Sequence, residues 1–290
     1  MRRENRPVGV LIVLTFALSA IAGAQESPNQ AWVNYDESAD LARLAELHNT
    51  RMHYRLLRSG MQTPGSLWAS LNDEVNRLTP ARYRALEPLV VESSVARLQA
   101  LVRAGDLSYE ELTLFYLSRI REIEGDPARY LNAVISLNPA SVERARALDL
   151  ARHAAPDVER DPIYGMPILL KDNINAAGMA TTAGAVALQN NFADDAFVVE
   201  KMREKGAVIL GKANLSEWAY FFCDDCPSGW SAMGGQTLNP YGRLQFNTGG
   251  SSAGSGASIA ANFAAAAVGS ETSGSILSPS SANSLVGLKP

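Results

Sequence analysis

Apolar positions recur at helical spacing through the first third of the chain. From Asp36 to about Ser59, leucine and methionine return every three or four residues with charged residues between them. This pattern predicts an amphipathic helix capped by Asp36 or Ser38. Further helices are predicted over 66–78, from Thr79 onward, over 95–104 and over 108–124. The chain therefore begins with a helical arm before any strand is predicted.

Short apolar runs alternate with helices in the rest of the chain. Strands are predicted at 131–137, 168–170, 208–211 and around 264–269, and helices from Pro139 to His153 and over 196–205. Such alternation is typical of a sheet that is buried beneath helices. The sequence predicts an α/β fold with a mixed β-sheet covered by helices on both faces, preceded by the helical N-terminal arm.

Two loops rich in glycine and serine lie near the end of the chain. The first glycine-serine loop is 247–257 and the second is 269–277. The segment between them is almost all alanine and is predicted to be a tightly packed helix that runs into a strand. Glycine permits unusual dihedrals and close approach to a ligand, and serine supplies a reactive hydroxyl. This combination predicts a catalytic site.

Composition and charge narrow the function. The chain has 290 residues, of which 47% are hydrophobic and 19% charged, and its formal net charge is -4. These values are ordinary for a soluble globular protein. No basic stripe occurs along the chain, so nucleic-acid binding is not expected.

The first 24 residues have the three parts of a secretory signal peptide. A basic start, 1–6, precedes an uncharged apolar run, 8–22, and Ala22-Gly23-Ala24 supplies a small-residue cleavage site. The pattern predicts cleavage after Ala24 and an exported protein, periplasmic or secreted. The alternative is an uncleaved membrane anchor, because the run is near the lower length limit for a spanning helix. No second run reaches that length, so no stable membrane insertion is expected after cleavage.

Both cysteines lie in one short segment, Cys223-Asp-Asp-Cys226. In an oxidising compartment this spacing favours a small disulfide loop, with two reduced thiols as the alternative. A zinc site would need two further ligands, and the three histidines, at 48, 53 and 153, are far away without ligand spacing. No metal or organic cofactor is expected.

Lys171 follows directly on a predicted apolar strand. A lysine carried by a buried strand loses hydration in its charged form, which lowers its pKa and suits it to act as a base near neutral pH. The alternative is a solvated lysine at the end of a strand, paired with Asp172.

The hydroxyls of the two glycine-serine loops have several possible roles. Phosphate binding is disfavoured, because no Gly-Lys-Ser or Gly-Lys-Thr ends the first loop and no Rossmann acidic residue follows. No histidine occurs after His153, and no Gly-x-Ser-x-Gly frames a serine, so a Ser-His-Asp triad is not expected. Activation of a serine by lysine remains as the route to a nucleophile. The successive N–H groups of 272–275 are a candidate oxyanion hole.

Four segments resemble successive landmarks of the amidase signature family. In chain order they are 165–173, 213–218, 249–255 and 269–276, and the resemblance extends over about 95–290. Two further segments, Ser-Gly-Trp-Ser at 228–231 and Gly-Gly-Gln-Thr-Leu-Asn-Pro at 234–240, are similar to those of bacterial amidases of the peptide-amidase type.

The resemblance implies a Ser-cisSer-Lys triad. Ser275 would be the nucleophile, Ser251 the bridging serine after a cis peptide bond, and Lys171 the base. Gly250 and Ser252 would support the bridging serine. The oxyanion would be held by the backbone N–H groups of Thr272, Ser273, Gly274 and Ser275.

The resemblance also implies the activity and the domain limits. The expected reaction is hydrolysis of a carboxamide C–N bond, in a small molecule or a peptide, to an acid and an amine or ammonia. The expected domains are a helical extension over 25–92 and an amidase domain over 93–290 that lacks its C-terminal half. The alternatives are a catalytically inactive truncated chain and, disfavoured by the signal peptide, a glutamine-hydrolysing amidotransferase subunit.

The chain departs from the family pattern at three places. Ser273 stands where glycine or aspartate is usual, and Leu277 replaces an arginine common in other branches. The Cys-Asp-Asp-Cys segment replaces serine and arginine. A side chain at 273 is expected to alter the approach to the oxyanion hole.

Overall fold

The computed structural model describes residues 36–61, 64–222 and 226–290. These residues belong to one unit, Trp32–Pro290. The predicted signal peptide and Cys223 lie outside the described residues. The signal peptide, the disulfide between Cys223 and Cys226 and the domain limits therefore stay predictions.

The N-terminal arm is built from shorter helices than the pattern predicted. Its elements are α1 (Ser38–Ala45), a 3₁₀ turn (Thr50–Met52), α2 (Pro64–Trp68), α3 (Asn72–Val75) and α4 (Pro80–Val90). The prediction of a single helix from 36 to 59 was wrong, because the Asn49 side chain accepts the Arg51 N–H and starts the separate 3₁₀ turn. The predicted helix over 66–78 is two helices, and the turn between them directs Leu71 and Val75 into the core.

Capping residues define the next two helices, as predicted. They are α5 (Val95–Ala104) and α6 (Tyr109–Glu124). Gly105 ends α5 in the left-handed conformation, with φ of 82°. Ser108 and Glu111 form the predicted capping box at the start of α6.

The remaining helices and strands alternate along the chain. The strands are β1 (Val134–Leu137), β2 (Pro167–Lys171), β3 (Val208–Ala213), β4 (Trp230–Ser231), β5 (Gly235–Gln236) and β6 (Ala266–Val268). The helices are α7 (Ser141–Ala154), α8 (Phe197–Glu204), α9 (Ala253–Ala260) and α10 (Leu277–Ala282). Helix α9 begins inside the first glycine-serine loop, five residues before the predicted start.

Four of these strands form a mixed sheet in the order β1-β3-β2-β6. Strand β2 is parallel to β3 and β6, whereas β1 is antiparallel to β3. Strands β4 and β5 pair separately. The predicted α/β fold with a mixed sheet is therefore confirmed. None of the helices in the described ranges has the length and apolar character needed to cross a bilayer.

Strand β1 begins three residues later than predicted, because the preceding residues are bound to a buried carboxylate. Glu124, at the end of α6, accepts the N–H groups of Leu131, Asn132 and Ala133 at 2.8–3.0 Å. These donors are thereby satisfied outside the sheet.

Apolar side chains fill both faces of the sheet. One face carries Leu169 and Leu210 and packs against a large cluster that includes Ala257 of α9. The other face carries Ile168, Leu170 and Ile209 and packs against α8. Helices therefore cover both faces, as predicted.

A β-bulge in β3 sets which side chains share a face. Ile168 pairs with Ile209, but the next residue of β2, Leu169, pairs with Gly211, so that β3 has one extra residue. Beyond the bulge, Lys171 pairs with Ala213, and Lys212 pairs with the preceding residue of β2. Because side chains alternate along a strand, Lys171 and Lys212 leave the sheet on opposite faces.

Candidate active site

Lys171 ends strand β2 with a fully buried side chain. Its Nζ lies 2.6 Å from Ser251 Oγ and donates to the Ser270 carbonyl oxygen at 3.1 Å. Asn173 donates to the Ser270 hydroxyl at 2.8 Å and so helps to hold that residue in place. Strand β2 thus places the Lys171 amine where it contacts both glycine-serine loops.

Burial shifts the protonation of Lys171. Loss of hydration lowers its pKa from the ordinary value of 10.5 to about 7, and the Glu271 carboxylate opposes part of that shift. A substantial fraction of Lys171 is therefore neutral near pH 7. The alternative of a solvated lysine paired with Asp172 was wrong, because Lys171 is buried and Asp172 pairs with Lys212.

Ser251 lies in the first loop, two residues before helix α9 begins at Ala253. The peptide bond between Gly250 and Ser251 is cis, as the resemblance implied. The Ser251 carbonyl oxygen accepts the Ser216 N–H at 3.0 Å. The Ser216 hydroxyl in turn accepts the Gly229 N–H at 2.8 Å, so segments 213–218 and 228–231 support Ser251.

Helix α9 packs tightly against the ends of β1 and β3 through Gly254. The Gly254 N–H donates to the Asn214 carbonyl at 2.9 Å. A Cβ at Gly254 would lie 2.4 Å from the Ala133 carbonyl and 2.4 Å from the Asn214 nitrogen. Both are backbone atoms, so the contact requires glycine. The sequence showed this glycine only as one of a cluster.

The second loop is bound to the first through Ser252 and Ser275. The Ser252 N–H donates to the Ser275 carbonyl at 3.1 Å, and the Ser252 hydroxyl donates to the Ser270 carbonyl at 3.3 Å. Ser275 is half-buried, whereas Thr272 and Ser273 are exposed. The structure therefore brings Lys171 to Ser251 directly and brings the backbone of Ser275 to the residue after Ser251.

Glu271 organises the second loop, which sequence reasoning missed. Its carboxylate accepts the N–H groups of Gly274 at 2.6 Å, Ile276 at 2.7 Å and Leu277 at 3.0 Å. Desolvation opposes the charged form, but these three donors lower the pKa of Glu271 overall. The Gly274 N–H, one of the expected oxyanion donors, is bonded to Glu271 in this structure. The only signal in the sequence was an acidic residue beside the glycines.

Asp172 and Lys212 form a buried ion pair behind Lys171. Lys212 Nζ lies 3.3 Å from Asp172 Oδ1, and both side chains are fully buried. Burial raises the pKa of Asp172 and lowers that of Lys212, and each partner's charge opposes the other's shift. Nothing in the sequence assigned a role to Lys212.

Cys226 is disulfide-bonded, but its expected partner Cys223 lies outside the described residues, so the pairing stays a prediction. Among the described side chains, no group of three or more histidines, cysteines, aspartates or glutamates lies close enough to hold a metal ion.

Comparison with known proteins identifies the family. The family model named Amidase matches residues 111–290, which is more than half of the chain. The chain belongs to the amidase family. It is 42% identical over 203 residues to an Arabidopsis thaliana protein described as a probable amidase, covering 69% of this chain and 39% of the relative. A glutamyl-tRNA(Gln) amidotransferase subunit from Symbiobacterium thermophilum is 42% identical over 198 residues, covering 68% of this chain and 38% of the relative.

A solved amidase structure shares the fold. The crystal structure of the peptide amidase PAM with the competitive inhibitor chymostatin is 51% identical to this chain, with a TM-score of 0.66. The match covers 69% of this chain and 40% of the peptide amidase. The chain thus spans about two fifths of the length of the amidases it matches.

Proposed function

We propose that this protein hydrolyses a carboxamide C–N bond through a triad of Lys171, Ser251 and Ser275. The observation that carries the proposal is the 2.6 Å contact between the buried Lys171 amine and the Ser251 hydroxyl. A buried lysine with a pKa of about 7 beside a serine is suited to move a proton near neutral pH.

The surroundings of Lys171 favour proton transfer in one direction. A neutral amine has two N–H donors and one lone pair. When one N–H donates to the Ser270 carbonyl, the lone pair is available for the Ser251 proton. Ser251 then takes the proton of Ser275, and the Ser275 oxygen attacks the amide carbon. The binding of Ser275 to Ser252 supports this arrangement.

The second half of the reaction uses the same groups in reverse. The backbone N–H groups of Thr272, Ser273 and Ser275 hold the negative oxygen of the tetrahedral intermediate, because the Gly274 N–H is bonded to Glu271. The proton returns from Lys171 through Ser251 to the leaving nitrogen, and the C–N bond breaks to give an ester on Ser275. Water, deprotonated by the same relay, then releases the carboxylic acid.

The proposed substrate is a small carboxamide or the amide of a peptide. Similarity to the peptide amidase supports the peptide substrate, since that relative shares half of the aligned residues. Similarity to the amidotransferase makes glutamine a second substrate to test.

The deciding experiment combines turnover with a covalent probe. Purified protein is incubated with peptide amides, simple carboxamides and glutamine, and separately with a serine-reactive fluorophosphonate. We expect hydrolysis of an amide and labelling of Ser275, with both lost in Ser275→Ala and Lys171→Ala. Ser281→Ala, an exposed serine on α10, serves as the control and should retain both. Well-folded wild-type protein that neither labels nor releases acid would contradict the proposal and favour the inactive chain.

We also propose export with removal of residues 1–24, from the signal pattern alone. The mature protein should begin at Gln25 by N-terminal sequencing and show no titratable thiol. A retained Met1 in exported protein would contradict the cleavage, and two titratable thiols would contradict the disulfide.

A further inference from the structure

The ion pair behind the proposed base has a fully engaged ammonium group. Lys212 Nζ donates to the Ile174 carbonyl at 2.7 Å and to Thr181 Oγ1 at 2.8 Å, besides its contact with Asp172. An ammonium has three N–H donors, and here each has an acceptor. The arrangement therefore suits a protonated Lys212.

Both oxygens of the Asp172 carboxylate also accept hydrogen bonds. One carboxylate oxygen receives Lys212, and the other accepts the N–H and the hydroxyl of Thr182. Its backbone is bound as well, since the Asp172 N–H donates to the Ala213 carbonyl oxygen and the Asp172 carbonyl oxygen accepts the Ala183 N–H. The residue directly after Lys171 is thus held through both its side chain and its backbone.

These contacts fix the turn that follows the base. The Ile174 N–H donates to the Lys171 carbonyl at 2.9 Å, and Lys212 binds the Ile174 carbonyl from the other face of the sheet. The bulge in β3 places Lys212 on that face. A rotation of the turn would move Lys171 away from Ser251 and would break the ion pair at the same time.

We propose that Asp172 and Lys212 are positioning residues for Lys171: together they hold the turn after it and keep the charge behind it balanced. This inference rests on the proposed role of Lys171 as the base. A buried pair is costly to assemble and is weak evidence for stability by itself, so a role in orienting the neighbouring base accounts for its place. A negative Asp172 favours the protonated form of Lys171 and a positive Lys212 disfavours it, so the two charges oppose each other.

Charged groups lie on both sides of Lys171. Glu271, in the second glycine-serine loop, acts on it directly and is itself 3.8 Å from Lys289. Asp172, directly after β2, and Lys212, in β3, form the ion pair on the other face of the sheet. Helix α9 and strand β6, which also border the site, carry no titratable side chain. Changing one member of the pair therefore changes the charge balance without altering Glu271.

Lysine-selective NMR tests the inference without requiring turnover. The chain has five lysines, at 171, 201, 205, 212 and 289, so their side-chain carbon signals can be assigned by single substitutions. The protonation midpoint of Lys171 is followed in wild type, Lys212→Met, Asp172→Asn and the double variant. Lys212→Met leaves Asp172 negative and should raise the Lys171 midpoint by about half a pH unit. Asp172→Asn leaves Lys212 positive and should lower that midpoint by about as much. The double variant should return it close to the wild-type value.

A neutral substitution separates the effect of charge on Lys171 from the positioning of the turn. Thr181→Val removes one acceptor of Lys212 and no charge, so it should leave the Lys171 midpoint unchanged while lowering kcat more than it raises KM. Lys205→Met, an exposed lysine, is the matched control and should change neither.

Wild-type protein alone also tests the pair, should a single variant fail to fold. Lys212 should keep its proton to a higher pH than Lys171 does. Deprotonation of Lys212 before Lys171, or equal Lys171 midpoints in both single variants, would overturn the inference. Absence of amide hydrolysis with the expected midpoints would contradict the proposed function but not the charge balance.

Discussion

The Ser252 N–H donates to the Ser275 carbonyl oxygen at 3.1 Å, so the two glycine-serine loops are joined by their backbones. This bond holds the proposed nucleophile next to the residue that follows Ser251. Neither loop depends on a side chain of Ser275 for its position. Replacing that side chain should therefore remove the chemistry and leave the loops in place.

The pH dependence of the reaction should report the base. Only neutral Lys171 can accept a proton, and burial lowers its pKa to about 7. We expect kcat/KM to rise as pH increases through about 7 and to level off above it. Steady-state rates on one amide from pH 5 to 9 check this. A rise centred near 10, the ordinary lysine range, would contradict the assignment of a buried base.

The charge of Glu271 should contribute to the midpoint of this pH profile. Its carboxylate favours the protonated form of Lys171. In Glu271→Gln the negative charge is lost, so the Lys171 midpoint should fall by about half a unit. The same pH profile measures the shift, with Glu159→Gln, an exposed residue, as the control. A midpoint that stays in place or rises would show that Glu271 acts only through the loop backbone.

Gly254→Ala should destabilise the protein more than its small volume suggests. The new methyl group would meet two backbone atoms at 2.4 Å, and helix α9 would have to move away from β1 and β3. We expect a loss of about 3 kcal/mol in the free energy of unfolding, at the upper end for overpacking. Denaturant unfolding measures it.

Gly60→Ala is the matched control, because nothing lies within 4 Å of its Cβ position. Its unfolding free energy should change by less than about 0.5 kcal/mol. Equal effects of the two substitutions would show that α9 is not tightly seated.

Glu124→Gln should weaken the segment that leads into β1. An amide offers one acceptor oxygen where the carboxylate now binds three N–H groups. At least one buried donor would lose its partner, at a cost of about 2 kcal/mol. Thermal unfolding compares this variant with Glu122→Gln, whose side chain is 48% exposed. Equal melting temperatures for the two variants would contradict the structural role of Glu124.

Local signals in the sequence predicted the helices around the core well. Ser108 and Glu111 are three residues apart, and Gly105 directly follows α5. These helix ends are therefore set by neighbouring residues that can be recognised in the sequence. The long helix predicted from Asp36 failed because Asn49, inside it, bonds to the backbone instead. Periodicity cannot weigh such a competing side-chain contact.

The candidate site was predicted unevenly for a related reason. Lys171 and Ser251 were paired through the family motifs, and the structure places them in contact. Lys212 was missed because its partner, Asp172, lies 40 residues away and the two are brought together only by strand register. Spacing along the chain carries no record of a bulge that changes that register.

The extra residue in β3 places the side chains of two buried lysines on opposite faces of the sheet. In an unbroken register Lys212 would stand directly beside Lys171 on the same face of the sheet. Two ammonium groups would then compete for one serine, and each would suppress the protonation of the other. A single inserted backbone unit thus gives two chemically identical amines different partners, a serine hydroxyl for Lys171 and a carboxylate for Lys212.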